Sequence, residues 1–242
     1  MTLMNCSLDF AKRLAATIPS SCALCSAGCS DGICSACDAR YFQHHVHRCR
    51  QCGVATKSAQ HCGDCLRHSP KFDATIVATD YVAPVDQLVQ ALKFGNRLAL
   101  APLFSRMLLE AIRHTPTFSP PTFITAVPLS KVRLQSRGFN QALEIAKPLA
   151  QALSIPLAPA LLERSRDTKM QALLHPDERH ENIRNAFTMS SAKATRLLGQ
   201  HVAVVDDVMT TGETLNEVAN ILKRNGASYV TNFVVARTPP KH

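Results

Sequence analysis

The chain has 242 residues, of which 46% are hydrophobic, so it can bury one sizeable core and add a small second domain. Lys and Arg outnumber Asp and Glu by 27 to 18, a formal charge of +9. This balance favours phosphate-bearing partners, although a basic surface can also serve solubility alone. Apolar runs stay well below the roughly 18 residues that a membrane span needs, so we expect no transmembrane segment.

Residues 1–21 are predicted to form a short amphipathic helix, because Leu3, Phe10 and Leu14 recur near helical spacing. Charged residues interrupt this segment, which argues against a secretory signal peptide. We therefore expect a cytoplasmic protein.

All ten cysteines lie within the first 65 residues, and eight of them form four CxxC pairs. This spacing lets two thiolates of one tight turn bind the same tetrahedral zinc ion. Eight thiolates are enough for two structural zinc sites. Pairing neighbours in sequence gives a double zinc ribbon over residues 22–70, and a crossed pairing would also bind two ions. The predicted ligands are Cys22, Cys25, Cys34, Cys37, Cys49, Cys52, Cys62 and Cys65.

A disulfide framework is the competing interpretation of these pairs, but a reducing cytoplasm keeps thiols free. Cys6 and Cys29 are left over and are expected to be bystander thiols, although Cys29 could replace a ligand. The histidines among the pairs are not needed, because eight thiolates already satisfy two ions. Zinc binding would supply the folding free energy that so small a core lacks.

From residue 71 to 242 the pattern changes to alternating strands and helices. Strands are predicted at 72–82, 123–127, 201–205 and 228–236, and helices at 83–94, 98–113, 140–153 and 212–224. The alternation predicts an α/β fold in which a doubly wound, mostly parallel sheet carries helices on both faces. Ligands of such sheets bind at the carboxyl ends of the strands.

The segment "VAVVDDVMTTGETL", residues 202–215, places two acids after an apolar run and then turns through a hydroxyl-rich loop into a helix. Backbone N–H groups at the helix start form a nest for a phosphate dianion, and Gly212 lets the backbone approach it closely. The oxygens of Asp206 and Asp207 suit the hydroxyls of a vicinal diol or a hydroxyl-bound cation. Singly, either acid could be an ordinary cap or a solvated residue; the ordered combination favours a ribose 5-phosphate.

This segment resembles the phosphoribosyl diphosphate (PRPP) signature of type I phosphoribosyltransferases. The CxxC module, followed by "LKFGNR", "VPLSKVRLQSRGFNQA", "RSRDTKMQALLHPDERHENIRNAF" and "VVDDVMTTGETL", is similar to the ComF family of competence-associated proteins, which includes GntX-like members. The resemblance covers nearly the whole chain, and it implies a phosphoribosyltransferase-like domain behind the zinc ribbons.

The resemblance assigns roles to particular residues. Asp206 and Asp207 would hold the ribose hydroxyls of PRPP and are the catalytic candidates. The 5-phosphate would lie against Val208, Met209, Thr210, Thr211, Gly212, Glu213 and Thr214. The pyrophosphate loop would comprise Pro128, Leu129 and Ser130, followed by Lys131, Arg133 and Arg137. These three basic residues could neutralise the leaving group or merely form a solvated face, and Mg²⁺ is the expected cation with PRPP.

Two further segments could cover the reaction centre. The polar stretch at 163–185 has the length of a mobile lid, which in related transferases excludes water; a surface loop without ligand contacts is the alternative. Lys169 and Gln171 are its candidates. The hood that would recognise the acceptor is expected within 72–97, where Lys93 is the leading charged residue.

Two functions follow. The first is an enzyme that displaces pyrophosphate from PRPP with an unidentified nitrogenous acceptor, in DNA uptake during natural transformation or in nucleotide metabolism. The second is a non-catalytic competence factor whose zinc ribbons bind single-stranded DNA or protein, beside a helicase or other uptake proteins. Aromatic residues, on which bases stack, make up only 5% of the chain, which weakens the second.

Overall fold

The computed structural model describes residues 20–30, 32–42, 46–57, 60–116, 118–165, 186–189 and 197–240. The chain forms two compact units, Met1–His45 and Val46–His242. Most of the predicted helix at 1–21 lies outside the described residues, as do the lid candidates Lys169 and Gln171. The boundary between the units separates the second CxxC pair from the third, whereas the sequence grouped all four pairs in one domain.

The first unit is built from short elements. These are strands β1 (Ser20–Ser21) and β2 (Gly28–Cys29), which pair antiparallel, and helix α1 (Ser35–Tyr41). Cys34 is the N-cap residue of α1, and Cys37 lies in its first turn. The buried hydrophobic residues among those described in this unit are Cys22, Ile33 and Cys37. Because this core is so small, bound metal is the expected source of its stability.

The second unit is an α/β domain preceded by a short helix. In chain order its elements are α2 (Gly63–Arg67), β3 (Ala74–Asp80), α3 (Val85–Phe94), α4 (Leu100–Arg113), β4 (Phe123–Ala126), α5 (Lys131–Arg137), α6 (Gln141–Leu153), β5 (Glu163–Arg164), β6 (Phe187–Thr188), β7 (His201–Met209), α7 (Glu213–Arg224) and β8 (Tyr229–Arg237). All the predicted strands and helices of this domain are present. Their ends agree with the predicted ones to within two residues, except at the end of β7.

Four strands form one parallel sheet in the order β3-β8-β7-β4. The chain starts at one edge with β3, crosses to the other edge with β4, and then fills the interior with β7 and β8. Helices α4 and α6 contact each other and the sheet, while α7 packs Leu215 and Val218 against Val202 and Val204. The doubly wound parallel sheet is thus confirmed. Among the described residues, no helix combines the length and apolar character needed to cross a membrane.

Strand β7 runs to Met209, four residues beyond the predicted end. Its neighbour β8 pairs with it along its whole length, from the His201–Tyr229 pair to the Met209–Arg237 pair. Because backbone pairing continues past the apolar run, both acids of the signature lie within the strand rather than after it. Val208 and Met209, predicted in the phosphate loop, are the last two residues of the strand.

Candidate functional site

The two acids of β7 belong to different surroundings. Successive side chains of a strand point to opposite faces of the sheet, so Asp206 and Asp207 diverge. Asp206 faces a concavity at the carboxyl edge, and Asp207, which is only 3% exposed, faces Lys93. The concavity is lined by Asp206, Val208, Met209, Thr210, Gly212, Thr214 and Leu215. The structure therefore brings Asp206 to the predicted phosphate loop and Asp207 to the predicted hood.

A buried ion pair holds Asp207. Lys93, in the last turn of α3, places its Nζ 2.9 Å from Oδ2 of Asp207, and the backbone N–H of Val208 donates to Oδ1 at 2.8 Å. A charge so deeply buried persists only when it is paired and hydrogen-bonded. Lys93 is thus a direct neighbour of one of the two signature acids.

Among the described contacts, the carboxyl group of Asp206 has no ion pair like the one that Asp207 forms with Lys93. Its Oδ1 accepts a hydrogen bond from the backbone N–H of Asp207 at 2.9 Å. Burial raises the pKa of Asp206 well above its usual range, the negative charge of Asp207 raises it further, and Lys93 opposes the shift. A hydroxyl donor or a cation at the concavity would stabilise the ionised form of this carboxyl group.

The loop between β7 and α7 has the geometry of an anion cradle. Gly212 is the N-cap residue of α7 at a φ of 93°, and a Cβ there would lie 2.5 Å from Cε of Met209. Thr210 and Thr211 are exposed beside it. Glycine gives α7 no side-chain cap, and a phosphate dianion would supply the acceptors that the N–H groups of a helix start require.

The predicted pyrophosphate loop follows β4 at the same edge of the sheet, since β4 pairs with β7. Its Ser130 is buried and is the N-cap residue of α5, with Oγ accepting from the N–H of Arg133 at 3.4 Å. Asn140, which sequence reasoning did not single out, caps α6 and donates from Nδ2 to the carbonyl oxygen of Val127 at 3.0 Å. Its place at the start of the helix predicted at 140–153 was the available signal.

The three basic residues after this loop lie on α5, a helix that was not predicted. Lys131 is exposed, whereas Arg137 is half-buried, with its guanidinium 5.2 Å from the ring centre of Phe94. Burial lowers the pKa of Arg137, and the negative charge of Asp207 opposes that shift. Arg137 is therefore packed against Phe94 and within electrostatic reach of Asp207, whereas Lys131 is exposed.

The eight CxxC cysteines form two groups of four. Within each group the sulfur atoms all lie within 4.8 Å of one another. Sγ of Cys25 and Cys34 are 3.5 Å apart, and those of Cys52 and Cys62 are 3.6 Å apart; tetrahedral zinc with Zn–S bonds near 2.3 Å needs about 3.8 Å. The first cysteine group is Cys22, Cys25, Cys34 and Cys37, and the second cysteine group is Cys49, Cys52, Cys62 and Cys65. Both donor sets fit zinc, and the pairs combine in sequence order.

The backbone of each cysteine group favours a thiolate at its first member. Burial raises the pKa of Cys22 and Cys49, but hydrogen bonds from neighbouring backbone N–H groups outweigh it and bring the two values to about 6 and about 7. The N–H of Cys62, for example, donates to Sγ of Cys49 at 3.3 Å. Ionised sulfur is the form that binds zinc.

The second cysteine group is packed onto the edge strand of the sheet. Thr75 of β3 donates from its N–H to the carbonyl oxygen of Arg50 at 3.0 Å and from its hydroxyl to that of Gln51 at 2.6 Å. Gly53 follows at a φ of 71°, and a Cβ there would lie 2.4 Å from Cγ2 of Val77. The knuckle at Cys49–Cys52 thus covers an otherwise open sheet edge.

Arg237, at the end of β8, was missed by sequence reasoning. It is 8% exposed, and its guanidinium donates to four backbone carbonyl oxygens. They belong to Cys52 and Met209, both at 3.1 Å, to Thr210, and to Thr238 at 3.1 Å. No sequence motif surrounds Arg237, so only the fold reveals this arrangement.

Comparisons with known proteins identify one domain family and relatives that match most of the chain. The phosphoribosyl transferase domain family matches residues 140–241. DNA utilization protein YhgH of Escherichia coli K12 is 36% identical over 229 residues, covering 92% of this chain and 99% of that protein. Competence protein F of Haemophilus influenzae Rd is 33% identical, covering 86% and 91%. The structure of adenine phosphoribosyltransferase from Thermoanaerobacter pseudethanolicus covers 60% of this chain and 83% of that one, at 15% identity and a TM-score of 0.34.

Proposed function

The chain belongs to the ComF family and has a phosphoribosyltransferase-like fold, and from this premise we propose that it binds PRPP or another ribose 5-phosphate at the carboxyl edge of its sheet. One observation carries the proposal. Asp206 shares a concavity with Thr210, Gly212 and Thr214, so an acceptor for sugar hydroxyls adjoins a helix start suited to a phosphate.

We propose that the reaction is phosphoribosyl transfer. The bond between the anomeric carbon and the pyrophosphate oxygen breaks, and its electron pair leaves with pyrophosphate. The nitrogen lone pair of the acceptor forms the new bond to that carbon, and an N–H proton of the acceptor passes to water. Negative charge develops on the leaving group, so cationic side chains beside it accelerate its departure. Arg137, Arg133 and Lys131 of α5 are the candidates for this role, since they follow the loop at the end of β4.

Mg²⁺ would accompany PRPP in this proposal. It is a hard cation that keeps several waters and binds through substrate oxygens with few protein ligands. The residues present fit it, because Asp206 offers a carboxyl group at the concavity, where burial and the charge of Asp207 raise its pKa and a bound cation would oppose both. When bound, the cation would neutralise phosphate charge. Asp206 would orient the ribose from the concavity, and Asp207, paired with Lys93, would hold the strand end that carries Asp206.

The names of the two relatives link them to DNA utilisation and competence. We propose that this protein likewise acts in the handling of incoming DNA, with single-stranded DNA and an uptake helicase as candidate partners. The +9 charge supports contact with a phosphate backbone. The separate first unit with its own cysteine group supports a second candidate function, a binding factor whose transferase domain senses a ligand without catalysis.

Calorimetric titration with PRPP and Mg²⁺ tests the binding site. We expect saturable binding to the wild type, a loss of about tenfold to a hundredfold in affinity in Asp206→Asn, and a similar loss in Asp207→Asn. Asp86→Asn is the matched control, because Asp86 lies in the first turn of α3 and its carboxylate accepts only a local hydrogen bond among those described. Absence of binding to the wild type, or a double variant that binds like the wild type, would refute the proposal.

A second experiment separates the two candidate functions. Pyrophosphate release from PRPP is measured across a panel of nitrogenous acceptors, beside the salt-dependent mobility shift of single-stranded DNA with the full chain. Release that depends on one acceptor and is lost in Asp206→Asn supports the transferase. DNA binding without release from any acceptor supports the binding factor.

A further inference from the structure

The phosphate loop depends on one buried side chain for its backbone geometry. The chain turns out of β7 after Met209, its last residue, and Arg237 lies beside the carbonyl oxygens of Met209 and Thr210 at this turn. Arg237 donates to both, while the N–H of Thr238 also donates to the oxygen of Met209 at 3.0 Å. Buried carbonyl groups need such partners, so this guanidinium fixes the direction in which the loop leaves the strand.

The same guanidinium reaches the second cysteine group. Its Nε donates to the carbonyl oxygen of Cys52 at 3.1 Å, across 185 residues of sequence. Cys52 is one of the four sulfur donors of that group. The planar guanidinium offers several N–H donors in fixed directions, so one side chain can bind acceptors on two segments at once, which a lysine ammonium group cannot do with the same geometry.

We propose that Arg237 is a positioning residue of the phosphate loop and that it links this loop to the second cysteine group. Zinc bound by Cys49, Cys52, Cys62 and Cys65 holds the carbonyl group of Cys52 in place; Arg237, held by that oxygen, holds Met209 and Thr210. The nature of the ligand at the loop rests on the proposed function, whereas the mechanical link does not. Loss of metal from this group therefore loosens the loop and weakens ligand binding.

Amide hydrogen exchange on the full, zinc-loaded chain tests the link without any ligand. In Arg237→Met we expect the amides of residues 210–213 to exchange about tenfold faster or more, because the carbonyl oxygens of Met209 and Thr210 lose charge-assisted hydrogen bonds and the loop that begins there opens more often. Arg237→Lys keeps the charge and should fall between Met and the wild type. Amides in the middle of the sheet, such as Val204 and Val234, should exchange as in the wild type, which a general loss of structure would not allow.

A matched pair of cysteine variants tests the part played by the metal. Cys34 and Cys62 occupy corresponding places, each as the N-cap residue of the short helix that follows. Cys62→Ser should release one zinc ion and speed exchange at 210–213, whereas Cys34→Ser should release one zinc ion and leave that exchange unchanged. Equal effects of the two variants on the loop would overturn the proposal, as would normal loop exchange in Arg237→Met and Arg237→Lys.

Titration with PRPP and Mg²⁺ then separates this inference from the function on which it rests. We expect Arg237→Lys to weaken binding by about tenfold, while Arg113→Met, at an exposed pair with Glu110, leaves it unchanged. If the wild type fails to bind PRPP, the proposed function falls and the exchange data alone decide the link. If Arg237→Met does not fold, the lysine variant and Cys62→Ser decide it.

Discussion

The first CxxC turns of the two cysteine groups, at Cys22–Cys25 and Cys49–Cys52, share a backbone conformation but have different neighbours. In each, the residue after the second cysteine donates its N–H to the carbonyl oxygen of the first cysteine at 2.9 Å, from Ser26 to Cys22 and from Gly53 to Cys49. Both residues have positive φ, 62° and 71°. In the second group a sheet side chain, Val77, occupies the space that a Cβ at Gly53 would fill, whereas Ser26 in the first group carries a side chain and is exposed.

This difference shows that one metal-binding motif can carry two structural duties. At Ser26 the turn holds two thiolates and the side chain is exposed, so a side chain is accommodated despite the left-handed backbone. At Gly53 the turn also has to lie flat against β3, so the side chain is excluded. We infer that the second group stabilises the α/β domain, whereas the first stabilises its own small unit.

The largest expected effect comes from removing a buried ligand in each group. Cys65→Ser should lower the free energy of unfolding of the second unit by at least about 3 kcal/mol, because losses of metal sites are among the most destabilising changes. Cys37→Ser, also buried within a short helix, should leave that transition within about 0.5 kcal/mol of wild type. Denaturant unfolding with zinc analysis measures both, and equal effects would remove the distinction between the groups.

Exchanging the two turn residues, Ser26 and Gly53, tests the difference between the cysteine groups without changing a sulfur ligand. Gly53→Ser should destabilise the second unit by about 2 to 3 kcal/mol, since it adds left-handed strain and a clash with Val77. Ser26→Gly should change the zinc affinity of the first group little, because strain relief and added chain entropy nearly cancel. Thermal unfolding and zinc competition are the measurements; a neutral Gly53→Ser would mean that the knuckle can leave the sheet freely.

A smaller effect is expected at the ion pair that anchors the second knuckle. Nη1 of Arg48 lies 2.7 Å from Oδ1 of Asp80 and also donates to the carbonyl oxygen of Gly53 at 3.2 Å. Asp80→Asn should therefore lower stability by about 1 to 2 kcal/mol. Asp64→Asn, which breaks an exposed pair with Arg67, should cost less than about 0.5 kcal/mol. Similar losses in the two variants would contradict the idea that contact with the sheet matters.

The smallest expected effect is a gain in the free energy of unfolding, and it concerns the second unit alone. Burial and the charge of Asp207 raise the pKa of Asp206 in the folded state, so the domain loses stability as the pH rises from the ordinary carboxyl value of about 4 toward that raised pKa. Asp206→Asn should then stabilise the second unit by up to about 1 kcal/mol at neutral pH. Unfolding measured from pH 4 to 8 should show the gain vanish toward pH 4, and a gain independent of pH would exclude this cause.

The sheet and the cysteine clusters could be predicted because their signals are local. Apolar runs mark β3, β4, β7 and β8, and CxxC spacing marks the ligands. The end of β7 could not be predicted in the same way, because it depends on pairing with β8 rather than on the polarity of Asp206 and Asp207. Helix α5 was missed because its seven residues bury no side chain, so it lacks an apolar stripe.

The candidate site was predictable as a set of residues and not as an arrangement. The signature indicated which segments could bind a ribose phosphate, and Lys93 was expected in the hood. Adjacent residues of a strand face opposite sides of the sheet. This applies to Asp206 and Asp207 only once the strand is known to include them. Arg237 donates to the carbonyl oxygens of Cys52, Met209 and Thr210, which are far from it in sequence. Because these acceptors are backbone atoms, no pattern of side chains indicates them.

The sheet order also has a consequence for how the domain folds. Strand β8 is the last of the sheet to be synthesised, yet it lies between β3 and β7. Until it inserts, those two strands expose unpaired edges that other chains could join, and closing the sheet requires contacts across most of the chain, which slows folding. The cysteines of the second group, by contrast, leave the ribosome early, and the knuckle packed on β3 would then shield that strand's outer edge while its inner edge awaits β8.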